Sequence, residues 1–190
     1  MDIPLGWQLF IQVILIAVNA IFASAEIAIV SMNELKLEKL AEDGNRRAKR
    51  LRKLTEKPAG FLATIQIAIT LSGFLGSAFA ADNFSDVIVR WLVDDLGVQI
   101  KESTLNTVAV IVITIILSYV TLVFGELVPK RVAMKKTQQI SLGVSGLISV
   151  SSKFFAPLVW LLTASTNLVL RILRIDPNGD DEEVSEEEIR

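Results

Sequence analysis

Three stretches of this chain are too long and too apolar to be surface helices of a water-soluble protein. They run from about Ile3 to Val30, Phe61 to Ala81 and Thr104 to Phe124, and the only charge within them is Glu26. Crossing the hydrocarbon core takes roughly 20 such residues in helical form. A helix satisfies its own backbone polar groups there, which an irregular chain does not. The expected fold is therefore an all-α integral membrane domain with spans at 3–31, 59–81 and 104–128. The first run lacks a basic leader and a small-residue cleavage pattern, so it reads as a retained span rather than a signal peptide.

The charged segments between the runs orient them. Glu34 to Lys57 holds nine Lys/Arg against five Asp/Glu, and Lys130, Arg131, Lys135 and Lys136 follow the third run. Positive loops stay in the cytoplasm, whereas the acidic stretch from Asp82 to Ser103 belongs outside. The N-terminus is then outside, and every loop agrees with that arrangement. Within 33–57, Leu35, Leu37, Leu40, Leu51 and Leu54 are spaced among the charges as on an amphipathic helix at a membrane surface. Glu42-Asp43-Gly44-Asn45 marks a turn within it. The region 137–175 is ambiguous by charge alone. It is apolar enough for a fourth span near Phe154–Leu170, yet Ser, Gly and Lys153 interrupt it as in-plane helices would allow. The end, "DPNGDDEEVSEEEIR", reads as an acidic linker over 176–190, with Ser185 placed to cap a further helix.

Composition narrows the chemistry. The chain has neither cysteine nor histidine. Disulfides, thiol nucleophiles, imidazole bases and the usual zinc sites are thereby excluded. No Ser–Lys or paired-Asp arrangement points to an enzyme. A bound metal must be held by oxygen, which favours hard cations.

Polar groups inside spans are costly and normally face a partner or a cavity. In the first run these are Asn19, Ser24 and Glu26, with Asn19 and Glu26 seven residues apart on one face. In the second, Gln66, Thr70, Gly73 and Ser77 form one stripe. In the third, Thr107, Thr114, Ser118, Thr121 and Gly125 form another. Small-residue stripes also serve plain helix packing, so neither is a site by itself. The stretch "VFGELVPKR", Val123–Arg131, carries a sharper signal. Pro129 has no N–H for the carbonyl four residues back, that of Gly125. The expectation is a helix broken there, offering the Gly125 carbonyl and the Glu126 carboxylate to a cation; the bland alternatives are a proline kink or a helix end meeting water. Ser24, Thr70 and Gly73 lie roughly 10–18 Å inward from the cytoplasmic ends of their helices. A common site would then sit in the inner half of the membrane.

At these residues the chain resembles a known family. "FASAEIAIVSMNELKLEKLAEDGNRRAKRL", "FLATIQIAITLSGFLGSAFAA" and "VFGELVPKRVA", in that order, are similar to the transmembrane domain of the CorC/CorB and cyclin M magnesium transporters. The resemblance implies a homodimer with three transmembrane helices per subunit and a belt of cytoplasmic juxtamembrane helices. It places 137–175 in the membrane plane and a cytoplasmic CBS-pair module after the acidic tail. It also implies Mg²⁺ as the bound substrate ion, exported across the plasma membrane, with Na⁺ as counter-ion. Ser24, Gly125 and Glu126 match the family's Mg²⁺-site positions. Many members carry asparagines in the second helix where this chain has Ile69, Thr70 and Gly73, so Thr70, Ser72 or a backbone carbonyl stands in there. Asn19, Glu26 and Ser118 are candidates for sodium. A membrane-anchored sensor that binds Mg²⁺ without moving it is the competing reading.

Overall fold

A computed structural model describes residues 4–91, 93 and 101–175, and among these every regular element is helical. The acidic tail 176–190 and most of the stretch 92–100 lie outside the described residues. In chain order the elements are α1 (Leu5–Val30), α2 (Glu34–Glu42), α3 (Arg46–Thr55), α4 (Pro58–Arg90) and α5 (Glu102–Leu122), then a π-helical turn (Val123–Leu127), α6 (Val128–Lys135), α7 (Thr137–Phe154) and α8 (Ala156–Ile172). Three segments are long and apolar enough to cross a bilayer: Leu5–Val30, Pro58–Arg90 and Ser103–Lys135. At 1.5 Å per residue the second and third are each about 50 Å long, well over the hydrocarbon thickness. Helix α4 continues through the acidic residues beyond Ala81 and ends at Arg90.

Local chemistry sets the short helices. Asn33 caps α2 by accepting from the Lys36 N–H at 2.9 Å. The expected turn after α2 is built on Gly44, whose φ of +90° lies in the left-handed region that favours glycine. The Asn45 N–H then returns to the Leu40 carbonyl at 3.1 Å, closing the helix end. Asn45 at once caps α3, its Oδ1 accepting from Arg47 and Ala48 at 2.9 and 3.2 Å. Replacing Asn45 with alanine leaves both N–H groups without that acceptor and is expected to cost about 1 kcal/mol. A lowered thermal midpoint of the purified protein checks this; an unchanged one would assign the turn to Gly44 alone.

The main core lies at one end of the bundle. Phe22, Ala25, Ile29 and Met32 from α1 and its C-terminal end pack with Leu37 and Ala41 of α2, Ala48 and Leu51 of α3, Phe61, Ile65 and Ala68 of α4, and Ile148 of α7. Segment 33–57 is thus clamped onto the spans by Leu37 and Leu51, with Leu40 and Leu54 packed against the same core, whereas Leu35 of the expected apolar face is exposed. A smaller cluster of Val89, Leu105 and Ala109 joins α4 to α5 at the other end. Between the clusters, α5 presents Val108, Ile111, Val112, Ile115, Ile116 and Tyr119 outward, as a lipid-facing surface requires. Helices α7 and α8 bend by 68° to one another at Phe155, and α8 has no buried residue.

One expectation is corrected. The third span is not broken at "GELVP" but stays helical through a π-turn, in which the Val128 N–H donates to the Val123 carbonyl five residues back. Such turns widen a helix locally and absorb the missing proline donor without interrupting the coil. The span also changes partners at this point. Helix α5 packs mainly on α4, whereas the turn and α6 pack on α1.

Candidate cation site

Helix α1 is the centre of the arrangement, because α4, the π-turn, α6 and α7 all pack against it. Its inward face carries Gln8, Gln12 and Asn19, all buried, and further along Glu26. Their spacings of 4, 7 and 7 residues keep them within about 40° of one another at 100° per residue. The result is a polar lane along the whole helix. The Gln12 Oε1 is buried with no hydrogen-bond partner. Its amide nitrogen lies against Gly76 of α4, where a Cβ would stand 3.2 Å from it. Glycine at that point admits the glutamine.

Asn19 is the contact between the lane and the π-turn. Its Nδ2 donates to the Gly125 carbonyl at 3.0 Å. Gly125 is buried, and a Cβ there would lie 3.1 Å from the same nitrogen and 3.3 Å from Thr121 Cγ2. Only a residue without a side chain lets α1 come this close. The Gly125 carbonyl is therefore engaged by Asn19 rather than left bare, as the proline argument expected. A carbonyl oxygen has two lone pairs, however, so one donor leaves it able to meet a cation.

About two turns further along α1, the charges gather. The Lys130 Nζ lies 2.9 Å from Glu126 Oε1 and 3.0 Å from Glu26 Oε2. Glu126 and Lys130 are four residues apart in the orientation that stabilises a helix pair. Glu26 arrives from another helix, so two carboxylates face one ammonium across the α1–α6 contact. The three side chains are between a quarter and about a third exposed, at the rim of the core rather than in it. Among the described residues no cluster of three or more Asp, Glu, His or Cys is placed to hold a metal. A cation in place of the ammonium would meet the two carboxylates.

The remaining expected ligands are distributed differently. Ser24 is half-buried on α1, two residues from Glu26 and thus on a different side of the helix. Thr70 is half-buried on α4 and accepts from Gln66 Nε2 at 3.3 Å. Gly73 faces open space, since a Cβ there meets nothing within 4 Å. The structure joins Gly125 to Asn19 and Glu126 to Lys130 and Glu26; no hydrogen bond among the described residues joins Thr70 or Gly73 to either set. Gln8, Gln12 and Lys130 were not among the expected residues. Counting back from Glu26 in steps of seven reaches Asn19 and Gln12, so the lane had a periodic signal.

Comparison with known proteins identifies this architecture. Residues 10–190 match the cyclin M transmembrane N-terminal domain. The chain belongs to the cyclin M transmembrane domain family. It is 38% identical to the UPF0053 protein sll0260 of Synechocystis, over 96% of this chain and 40% of that protein. It is 31% identical to a polyamine export protein of Haemophilus influenzae, over 92% of this chain and 40% of that one. It is 30% identical to the UPF0053 inner membrane protein YfjD of Escherichia coli, over 83% of this chain and 33% of that one. The cyclin M domain described here thus spans about two fifths or less of these three relatives. It is a multi-pass membrane domain, and the family is of transporter type rather than enzymatic.

Proposed function

We propose that this chain is the membrane domain of a cation exporter whose cargo is Mg²⁺, driven by the sodium gradient across the plasma membrane. The observation that carries this reading is the pair of carboxylates, Glu26 and Glu126, brought from two helices onto one positive charge. Their all-oxygen chemistry suits a hard cation, and Mg²⁺ prefers few carboxylates with water completing its shell. Ser24, Thr70 and Gly73 join that shell in a conformation that draws α4 toward the turn. The polar lane from Asn19 to Gln8 supplies the path away from the site toward the other face. The N-terminus is outside, α2, α3, α7 and α8 form a cytoplasmic belt in a homodimer, and the tail leads to a cytoplasmic CBS-pair module.

A second reading has its own support. The site already holds an alkylammonium between two carboxylates, the contact an organic polycation would make, and two relatives are named polyamine export proteins. Reconstituting the full-length protein in liposomes tests both readings. Sodium-dependent Mg²⁺ flux is the expected result. Flux of labelled spermidine without Mg²⁺ flux would move the cargo to polyamines. Flux of neither, with Mg²⁺ binding intact, would leave a membrane-anchored sensor.

A further inference from the structure

Lys130 is more than a marker of the cytoplasmic side. A lysine four residues after a glutamate needs no second partner, yet its ammonium reaches across to Glu26 of α1 at 3.0 Å while keeping Glu126 at 2.9 Å. The geometry points to Lys130 as a tethered cation that occupies the site between transport events and must leave before a divalent ion enters. This inference rests on the reading of Glu26 and Glu126 as the cargo site.

Charge supplies the reason. With Lys130 in place, two carboxylates and one ammonium carry a net charge of −1, a match for a monovalent ion. With Lys130 withdrawn the same site carries −2, a match for a divalent one. Two bare carboxylates side by side at the membrane rim repel and are poorly solvated. Withdrawal is therefore favourable only as another cation arrives, and return of the lysine favours release. The side chain suits the task. Lysine is a compact point charge on a flexible four-carbon stem, and it can extend toward the interface without moving its helix. Arginine, with its rigid fork, would hold the two carboxylates more firmly.

The competing ammonium reduces the apparent affinity of the site for its cargo in proportion to the fraction of time it is withdrawn. Removing it must therefore tighten cargo binding, whereas loss of a merely structural ion pair would loosen it. The experiment is titration calorimetry of Mg²⁺ into the full-length protein as wild type, Lys130→Met and Lys130→Gln, alongside Na⁺-driven Mg²⁺ efflux from liposomes. We expect Mg²⁺ to bind both variants about tenfold or more tighter than wild type, with slower efflux because release lacks its competitor. Lys130→Arg should retain affinity at or below that of wild type. Unchanged or weaker Mg²⁺ binding in both neutral variants, with wild-type binding intact, overturns the tethered-cation role and leaves the site standing. Absence of Mg²⁺ binding in wild type and variants alike overturns the site itself, and this inference with it.

Discussion

Glu126→Ala is expected to weaken Mg²⁺ binding by a hundredfold or more, about 2.8 kcal/mol on the tenfold-per-1.4 scale. Glu126 lies beside the Gly125 carbonyl and supplies one of two carboxylates at the site. Its removal leaves Glu26 and Lys130 as a neutral pair. A neutral pair has no net attraction for a divalent ion, so the loss exceeds that of a single hydrogen bond. The fold should survive, because the Glu126 side chain is about a third exposed and lies outside the core cluster. Calorimetric titration should therefore show lost binding at an unchanged thermal midpoint. Unchanged affinity would remove Glu126 from the site and leave its pairing with Lys130 as an ordinary helix contact.

Leu51→Ala should do the reverse. Leu51 is fully buried on α3, in the cluster that joins α1, α2, α3, α4 and α7. Truncation removes most of a buried side chain and leaves a cavity where three or more helices meet, at an expected cost of about 2–5 kcal/mol. The loss falls on the clamp that fastens segment 33–57 to the spans. The thermal midpoint in detergent should drop by several degrees, while the charges at Glu26, Glu126 and Lys130 stay in place on α1, the turn and α6. A variant that melts with wild type would show that α3 is held by its charged face at the bilayer surface and not by its leucines.

The spans were legible because hydropathy and length act locally, and a run such as Thr104–Phe124 has no alternative use in a soluble fold. The short helices were legible for the same reason: Gly44 and Asn45 act within a few residues of themselves. The π-turn was not. A proline inside a helix announces that one carbonyl loses its donor, but whether the coil breaks, kinks or widens depends on what meets that carbonyl. Here Asn19 does, from 106 residues away, and no local pattern records it. Lys130 was hidden by an ambiguity of another kind. Beside a membrane a lysine marks the cytoplasmic side, and beside a glutamate it forms a routine i,i+4 pair, so its second partner on α1 added nothing visible to the sequence. The lane through Asn19 and Gln12 was present as a period of seven from Glu26, with Gln8 four residues beyond. Amides near a helix start attract less notice than a carboxylate, and their burial became visible only once α4 was packed against them.

The change of partners along the third span has a mechanical consequence. One continuous rod is fastened by its upper part to α4 and by its lower part to α1, and the joint between the two fastenings is the five-residue turn Val123–Leu127. A π-turn holds one residue more than an α-turn, and one residue of helix is worth about 100° of rotation. Any sliding of α4 against α1 must therefore be taken up as torsion in that turn, which carries Gly125 and Glu126 themselves. Under the proposed function, two of the cargo's ligands are thus the hinge pin of the bundle: they need no separate lever to sense which way the two halves lie.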